Sequence, residues 1–167
     1  MPAKEVEPEI DAGDFLPGAQ FIDAWSIAVD GQALDARRAA VKMFARGPRW
    51  VEMLIRLRNR LVKPVGLKTP APAATATAET IGIFPIVSET PERLVAGLND
   101  SHLDFRVVVD VATSGPRQRV TLTTLVLTHN LLGRVYLAII MPFHRHIART
   151  LLPQVAIPDT DRPTPPA

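Results

Sequence analysis

The chain has 167 residues and a formal net charge of +2, a size and balance that suit one globular domain. Its 47% apolar and 22% charged residues exclude an intrinsically disordered chain, which is poor in apolar residues and strongly charged. The absence of cysteine excludes disulfides, thiolate metal sites and a cysteine nucleophile.

Charge is unevenly distributed along the chain. Residues 1–30 are mainly acidic, residues 31–68 are mainly basic, and the remainder is balanced. A basic segment of this kind can bind nucleic acid or anionic lipid, or its arginines can form a solvated helix face. Within this basic segment, Trp50 is the one residue expected to offer an aromatic ring on which nucleobases can stack. We therefore expect no nucleic-acid partner.

The first part of the chain predicts a lead-in followed by a strand. Residues 1–14, rich in acids and punctuated by Pro and Gly, are expected to be a flexible lead-in. They have neither the basic start nor the apolar stretch of a secretory signal, so we expect a cytoplasmic protein. Residues 20–30 predict a half-buried strand, because apolar side chains alternate along it. One face of this strand carries Phe21, Trp25, Ile27 and Val29.

Two short amphipathic helices are predicted after this strand. The first covers residues 33–46, and the second runs from Pro48 to Pro64. The apolar stripe of the second helix consists of Trp50, Leu54, Leu57 and Leu61. Residues 69–80 contain mostly Pro, Ala and Thr, and we expect them to form an exposed loop.

The second half of the chain predicts an antiparallel meander and a long helix. Short apolar runs separated by turn residues predict four strands, at 81–89, 93–98, 102–112 and 119–129. Asn130 offers an N-cap to a helix over 131–152, which Pro142 should kink. The apolar run of this helix is too short to span a bilayer, so no transmembrane segment is expected. The Pro-rich residues 153–167 are expected to be a disordered tail.

This order of elements predicts a single α+β domain over residues 15–152, with the last helix packed across the sheet. Three segments carry a resemblance to a known family: PRWVEMLIRLRNRLVKPVGLKT (48–69), IGIFPIVSETPERLVAGLNDSHLDFRVVV (81–109) and THNLLGRVYLAIIMPFHRHIAR (128–149). The chain resembles an uncharacterised bacterial family, a domain of unknown function, within the START-like superfamily. That superfamily is also called SRPBCC, or the polyketide cyclase superfamily.

The resemblance implies a helix-grip fold, in which a curved antiparallel sheet wraps the C-terminal helix and two short helices close one end. A related domain also occurs behind NAD(P)-binding epimerase-like domains. In this chain no G-x-G-x-x-G motif follows a strand, so NAD binding is not carried over and no cofactor is expected.

The candidate site is an apolar pocket between the last helix and the sheet. Its predicted lining residues are Trp25, Phe84 and Phe105 on strands, and Tyr136, Ile139, Ile140 and Phe143 on the helix. If the sheet is curved, these residues suit a hydrophobic ligand, whereas in the alternative interpretation they fill a packed core. The leading hypothesis is a noncatalytic protein that binds a small apolar or amphipathic molecule such as a lipid, a polyketide or a quinone-like compound.

The polar candidates are Asp104, Arg106 and His129, which in a second hypothesis act as acid or base in a cyclase or dehydratase. In the alternative interpretation, Asp104 and Arg106 belong to an ion-pair row on a solvated sheet face, and His129 makes a hydrogen bond at the helix start. His144 and His146 point in different directions around the helix, so no metal site is expected. No serine lies in a G-x-S-x-G context.

A third hypothesis concerns protein partners. The two basic helices can dock this domain, as an accessory module, onto a partner protein, and salt-sensitive association is expected in that case. Self-association as a homodimer is a further alternative.

Overall fold

The structure is a computed structural model that describes residues 2–31, 33–45, 79–82 and 84–158. Its strands are β1 (Lys4–Val6), β2 (Phe21–Asp30), β3 (Thr80–Ile81), β4 (Phe84–Glu89), β5 (Arg93–Asn99), β6 (Leu103–Ser114) and β7 (Arg117–Thr128). They form one antiparallel sheet in the order β1-β2-β7-β6-β5-β4-β3. The helices are α1 (Ala12–Phe15), α2 (Ala36–Ala45) and α3 (Leu131–Leu151), followed by a 3-10 turn (Leu152–Ala156).

The centre of the sheet is a long hairpin made by β6 and β7. Gly115 lies in its turn with a φ of 60°, a left-handed conformation that glycine adopts without steric cost. Val109 pairs with Leu122 in the register of the two strands, and the next residue of each strand points to the opposite side of the sheet. Alternation therefore gives the sheet two faces with different side chains.

The first face, called here the helix face, carries the main core. Trp25, Val109 and Leu122 lie on it and are buried together with Met43 of α2 and Leu151 of α3. Burial of each such side chain contributes about 1.5–3 kcal/mol to folding. The core continues into the 3-10 turn, where Leu152 and Val155 are completely buried. The chain after Pro153 is therefore folded as far as this turn, because its apolar residues complete the core.

The opposite face, called here the outer face, is crossed by the lead-in. Strand β1 extends the sheet beside β2, and the chain then passes over the sheet to Leu16. Leu16 is buried against Val95, Val108 and Leu125, and a bidentate ion pair joins Glu9 to Arg119. A loosely held lead-in was the expectation from composition, but apolar and ionic contacts fix this segment to the sheet.

The predicted fold class is confirmed: the protein is α+β, with a curved antiparallel sheet and a long C-terminal helix. Asn130 is the N-cap of α3, and its Oδ1 accepts a hydrogen bond of 3.0 Å from the Gly133 backbone N–H. The predicted second helix (48–64), and residues 69–78 of the predicted loop, lie outside the described residues. None of the helices in the described part of the chain combines the length and the hydrophobicity that a bilayer span requires.

Candidate functional site

The helix face has two regions, which differ in how deeply their apolar side chains are buried. Around β2 and the end of α3 the apolar side chains are fully buried. Around β4, the end of β5 at Leu98, the start of β6 at Phe105 and the first half of α3 they are only half-buried. These half-buried residues are called here the apolar zone: Phe84, Ile86, Leu98 and Phe105 from the sheet, with Tyr136, Leu137, Ile140 and Met141 from α3.

Aromatic contacts define the sheet side of the apolar zone. The ring centroids of Phe84 and Phe105 are 5.1 Å apart, and those of Phe44 and Phe84 are 6.2 Å apart in an edge arrangement. Phe84 and Phe105 pack against the rim of the main core without being enclosed by it. Aromatic and aliphatic walls of this kind are typical of sites for apolar ligands.

The start of α3 is held close to the turn between β5 and β6. A Cβ atom added to Gly133 would lie 2.1 Å from the backbone oxygen of His102, so only glycine permits this approach. Tyr136 follows one turn later and makes an edge contact with the His102 ring at 5.8 Å. The contact of Tyr136 with His102 places the first half of α3 beside the sheet residues of the apolar zone.

The middle of α3 is held by a polar contact in an apolar setting. Nε2 of His144 lies 3.3 Å from Oδ1 of Asp23, and Trp25 Nε1 donates to Oδ2 of the same carboxylate at 3.2 Å. The Asp23 side chain is buried, and the His144 ring also makes an edge contact with Phe21. One buried carboxylate thus connects β2 to α3.

The predicted lining residues separate into three groups. Phe84, Phe105, Tyr136 and Ile140 belong to the apolar zone. Trp25 is only 5% exposed and lies in the filled core, where the Arg149 guanidinium stands 5.7 Å from its ring. Phe143 is 50% exposed and belongs, with Ile139, to an exposed apolar stripe of α3. The full stripe is Leu131, Leu132, Val135, Ile139 and Phe143.

The polar candidates lie on or beside the outer face. Asp104 and Arg106 alternate with Phe105, which places them on the opposite side of β6 from the apolar zone. His129 Nε2 contacts Asp104 Oδ1 at 3.1 Å, whereas the Arg106 guanidinium donates to the backbone oxygens of Leu98 and Phe105. Asp104 and His129 therefore meet as a pair, and Arg106 is occupied by the sheet backbone.

Metal ligands do not gather in the described ranges: no group of three or more His, Asp or Glu side chains there can hold a metal ion. The His–Asp contacts instead occur as three separate pairs: Asp23 with His144, Asp104 with His129, and Asp100 with His102. The first two connect the sheet to α3 or to the segment that leads into it, and the third lies within the turn between β5 and β6.

Asp23 is not among the site residues predicted from the sequence, and His144 was predicted without a specific partner. The signal was present in the alternation of β2, because Asp23 occupies a position of the face that otherwise carries Phe21, Trp25, Ile27 and Val29. A carboxylate at a position assigned to a core requires a buried partner. His144, more than 100 residues later in the chain, supplies it.

Comparisons with known proteins identify a family, and one of the solved structures similar to this chain is described below. A family model described as "Protein of unknown function (DUF2867)" matches residues 15–151. No curated protein matches the chain. A protein from Arthrobacter aurescens, solved by solution NMR, has a TM-score of 0.38 and 11% sequence identity; the similarity covers 83% of this chain and 87% of that one.

Proposed function

Since the chain belongs to the DUF2867 family of proteins of unknown function, we propose its function from the site itself: it binds a small apolar or amphipathic molecule at the apolar zone. The ligand class is a lipid, a polyketide or a quinone-like compound. Binding requires no catalytic step by the protein.

The observation that carries this proposal is the difference in burial between the two halves of the helix face. Val109, Leu122 and Leu151 are enclosed, whereas Phe105 and Ile140 retain accessible surface although they lie on the same side of the sheet. A ligand that covers these half-buried apolar side chains removes their surface from water. This burial stabilises the complex by roughly 25 cal/mol for each Å² removed from water.

We also propose that the family belongs to the START-like superfamily. Support comes from the curved antiparallel sheet, the long C-terminal helix and the three sequence segments that resemble that superfamily. In this fold the ligand would lie between α3 and the sheet, which is where the apolar zone is found. NAD(P)-dependent chemistry forms no part of the proposal.

Geometry favours binding over the cyclase or dehydratase alternative. An acid–base pair for such chemistry needs to face the ligand, and Asp104 and His129 meet on the outer side of β6 instead. The accessory-module alternative depends largely on basic residues outside the described ranges. Within α2, Arg37 is already paired with Glu79 and Glu89.

Native mass spectrometry of the full chain purified from cells, followed by dye displacement, tests the proposal. We expect a noncovalent adduct of one small apolar molecule that is lost on denaturation, and displacement of a bound hydrophobic dye by members of the same chemical class. A chain that carries no adduct, and from which no lipid, polyketide or quinone displaces dye, would overturn the proposal.

A further inference from the structure

The side of α3 that faces away from the sheet is apolar along much of its length. Among the described residues, five of the eight exposed large hydrophobic side chains form the exposed apolar stripe of α3 defined above. The steps of three and four residues from Leu132 to Phe143 align these side chains along one side of the helix, over about 17 Å. Monomeric soluble proteins rarely expose a contiguous apolar surface of this kind, and such surfaces mark sites of interaction.

The contacts that hold α3 on the sheet keep this stripe outside. Gly133 packs against the His102 backbone oxygen, and Nε2 of His144 lies 3.3 Å from Oδ1 of Asp23. Gly133 and His144 are about three turns apart, so they lie on the same side of the helix and both face the sheet. A rotation of α3 that buried Ile139 would break both contacts. The stripe is therefore a permanent surface of the fold, on a different side of α3 from the apolar zone.

The formal charges on α3 are all positive. Its 21 residues include Arg134, Arg145 and Arg149 and no aspartate or glutamate. All three arginines are exposed, and Arg134 and Arg145 form no salt bridge with a carboxylate of the described residues. These two arginines are about three turns apart and so occupy one flank of the stripe. Apolar side chains flanked by arginines are typical of a helix that lies in the surface of an anionic membrane.

From the exposed stripe and its charge we propose that α3 docks the protein on the surface of an anionic phospholipid membrane. The apolar side chains of the stripe enter the boundary between headgroups and acyl chains, and Arg134 and Arg145 approach the lipid phosphates. A lipid surface is favoured over a second copy of this chain, because the α3 helix of a second copy offers these arginines no carboxylate. Docking requires no ligand in the apolar zone, so it goes beyond the proposed function.

Flotation of the full chain with lipid vesicles tests the proposal. We expect the protein to bind vesicles that mix phosphatidylcholine with phosphatidylglycerol, and to bind vesicles of phosphatidylcholine alone at least about tenfold more weakly. Binding to the anionic vesicles should also weaken as the salt concentration rises. Absence of binding to the anionic vesicles would overturn the proposal, as would equal binding to both kinds of vesicle.

Two matched pairs of variants locate the docking surface. Ile139→Gln, on the stripe, should weaken binding to anionic vesicles by at least about fivefold, because less apolar surface is buried in the lipid. Val87→Gln, an equally exposed apolar position on β4, should bind as wild type does. Arg134→Gln should weaken binding by about fivefold, whereas Arg117→Gln, an exposed arginine at the start of β7, should not. Equal effects within either pair would contradict docking through α3.

The oligomeric state without lipid tests the second copy as the alternative occupant of the stripe. Light scattering coupled to size-exclusion chromatography should show a monomer for both the wild type and Ile139→Gln. A wild-type dimer that Ile139→Gln dissociates would assign the stripe to a second copy and overturn the proposal.

Discussion

His144 Nε2 lies 3.3 Å from Oδ1 of Asp23, and this contact fixes the middle of the C-terminal helix to the second strand. The carboxylate is buried and also accepts a hydrogen bond from the Trp25 indole. Because α3 forms one wall of the apolar zone, the position of that wall depends on this carboxylate.

Asp23→Ala should therefore destabilise the protein by about 1–3 kcal/mol, because it leaves the Trp25 N–H and the His144 ring without their acceptor. Urea unfolding measures the change. The matched control is Asp30→Ala at the exposed end of the same strand, where the ion pair with Arg117 is solvated and should contribute less than about 1 kcal/mol. Equal losses in the two variants would show that Asp23 has no special role.

Gly133→Ala is predicted to destabilise the protein although alanine favours helices by about 1 kcal/mol over glycine. The added Cβ would lie 2.1 Å from the His102 backbone oxygen, so the start of α3 must move away from the sheet. Overpacking of this kind costs about 1–3 kcal/mol. Thermal unfolding should show a lower Tm for Gly133→Ala and little change for Arg134→Ala, an exposed neighbour on the same helix. A raised Tm for Gly133→Ala would refute the close approach.

Pro142 lies inside α3 without ending it. Because proline has no N–H, the Ala138 carbonyl lacks its helical partner, and Pro142→Ala should restore that bond and stabilise the helix by up to about 3 kcal/mol. A stiffer helix should also release a ligand from the apolar zone more slowly. Urea unfolding and stopped-flow dye release measure the two effects. Arg145→Ala, an exposed change three residues later, should alter neither.

Arg37 joins α2 to the strands through the carboxylates of Glu89 and Glu79. The hydrogen bonds from Arg37 lower the pKa of Glu89 below its ordinary value. The pair therefore contributes its stability above the ordinary glutamate pKa and loses it as the pH falls through the lowered pKa of Glu89. Arg37→Gln should be less stable than wild type at neutral pH, and the gap should close in acid. The gap should also be smaller in a Glu89→Gln background, as a double-mutant cycle would measure.

The order of strands and helices follows from local patterns, and the sequence predicts it well. Alternation over residues 103–111 and the Ser114–Gly115–Pro116 turn are sufficient to predict the β6–β7 hairpin. Asn130 likewise marks the start of α3 through its own side chain. These features depend on neighbours in the sequence, so the residues alone reveal them.

Features that depend on distant residues were not predictable in the same way. The attachment of the lead-in requires Arg119 opposite Glu9, and the burial of Val155 requires a core assembled from strands far earlier in the chain. Helical periodicity placed Phe143 near the stripe facing the sheet, yet it is half-exposed. Which side chains of a helix face the sheet depends on the rotation of the helix about its own axis. In α3, the contacts of Gly133 and His144 determine this rotation.

The most direct test of ligand binding at the apolar zone compares two tryptophan substitutions on α3. Ile140→Trp adds bulk inside the apolar zone, and Val135→Trp adds the same bulk at a 49% exposed position on the exposed apolar stripe of α3. The measurement is the affinity for a fluorescent apolar dye, with displacement by a fatty acid. If the apolar zone binds the ligand, Ile140→Trp loses at least about tenfold in affinity while Val135→Trp binds as wild type does. Equal affinities in all three proteins would contradict binding at the apolar zone.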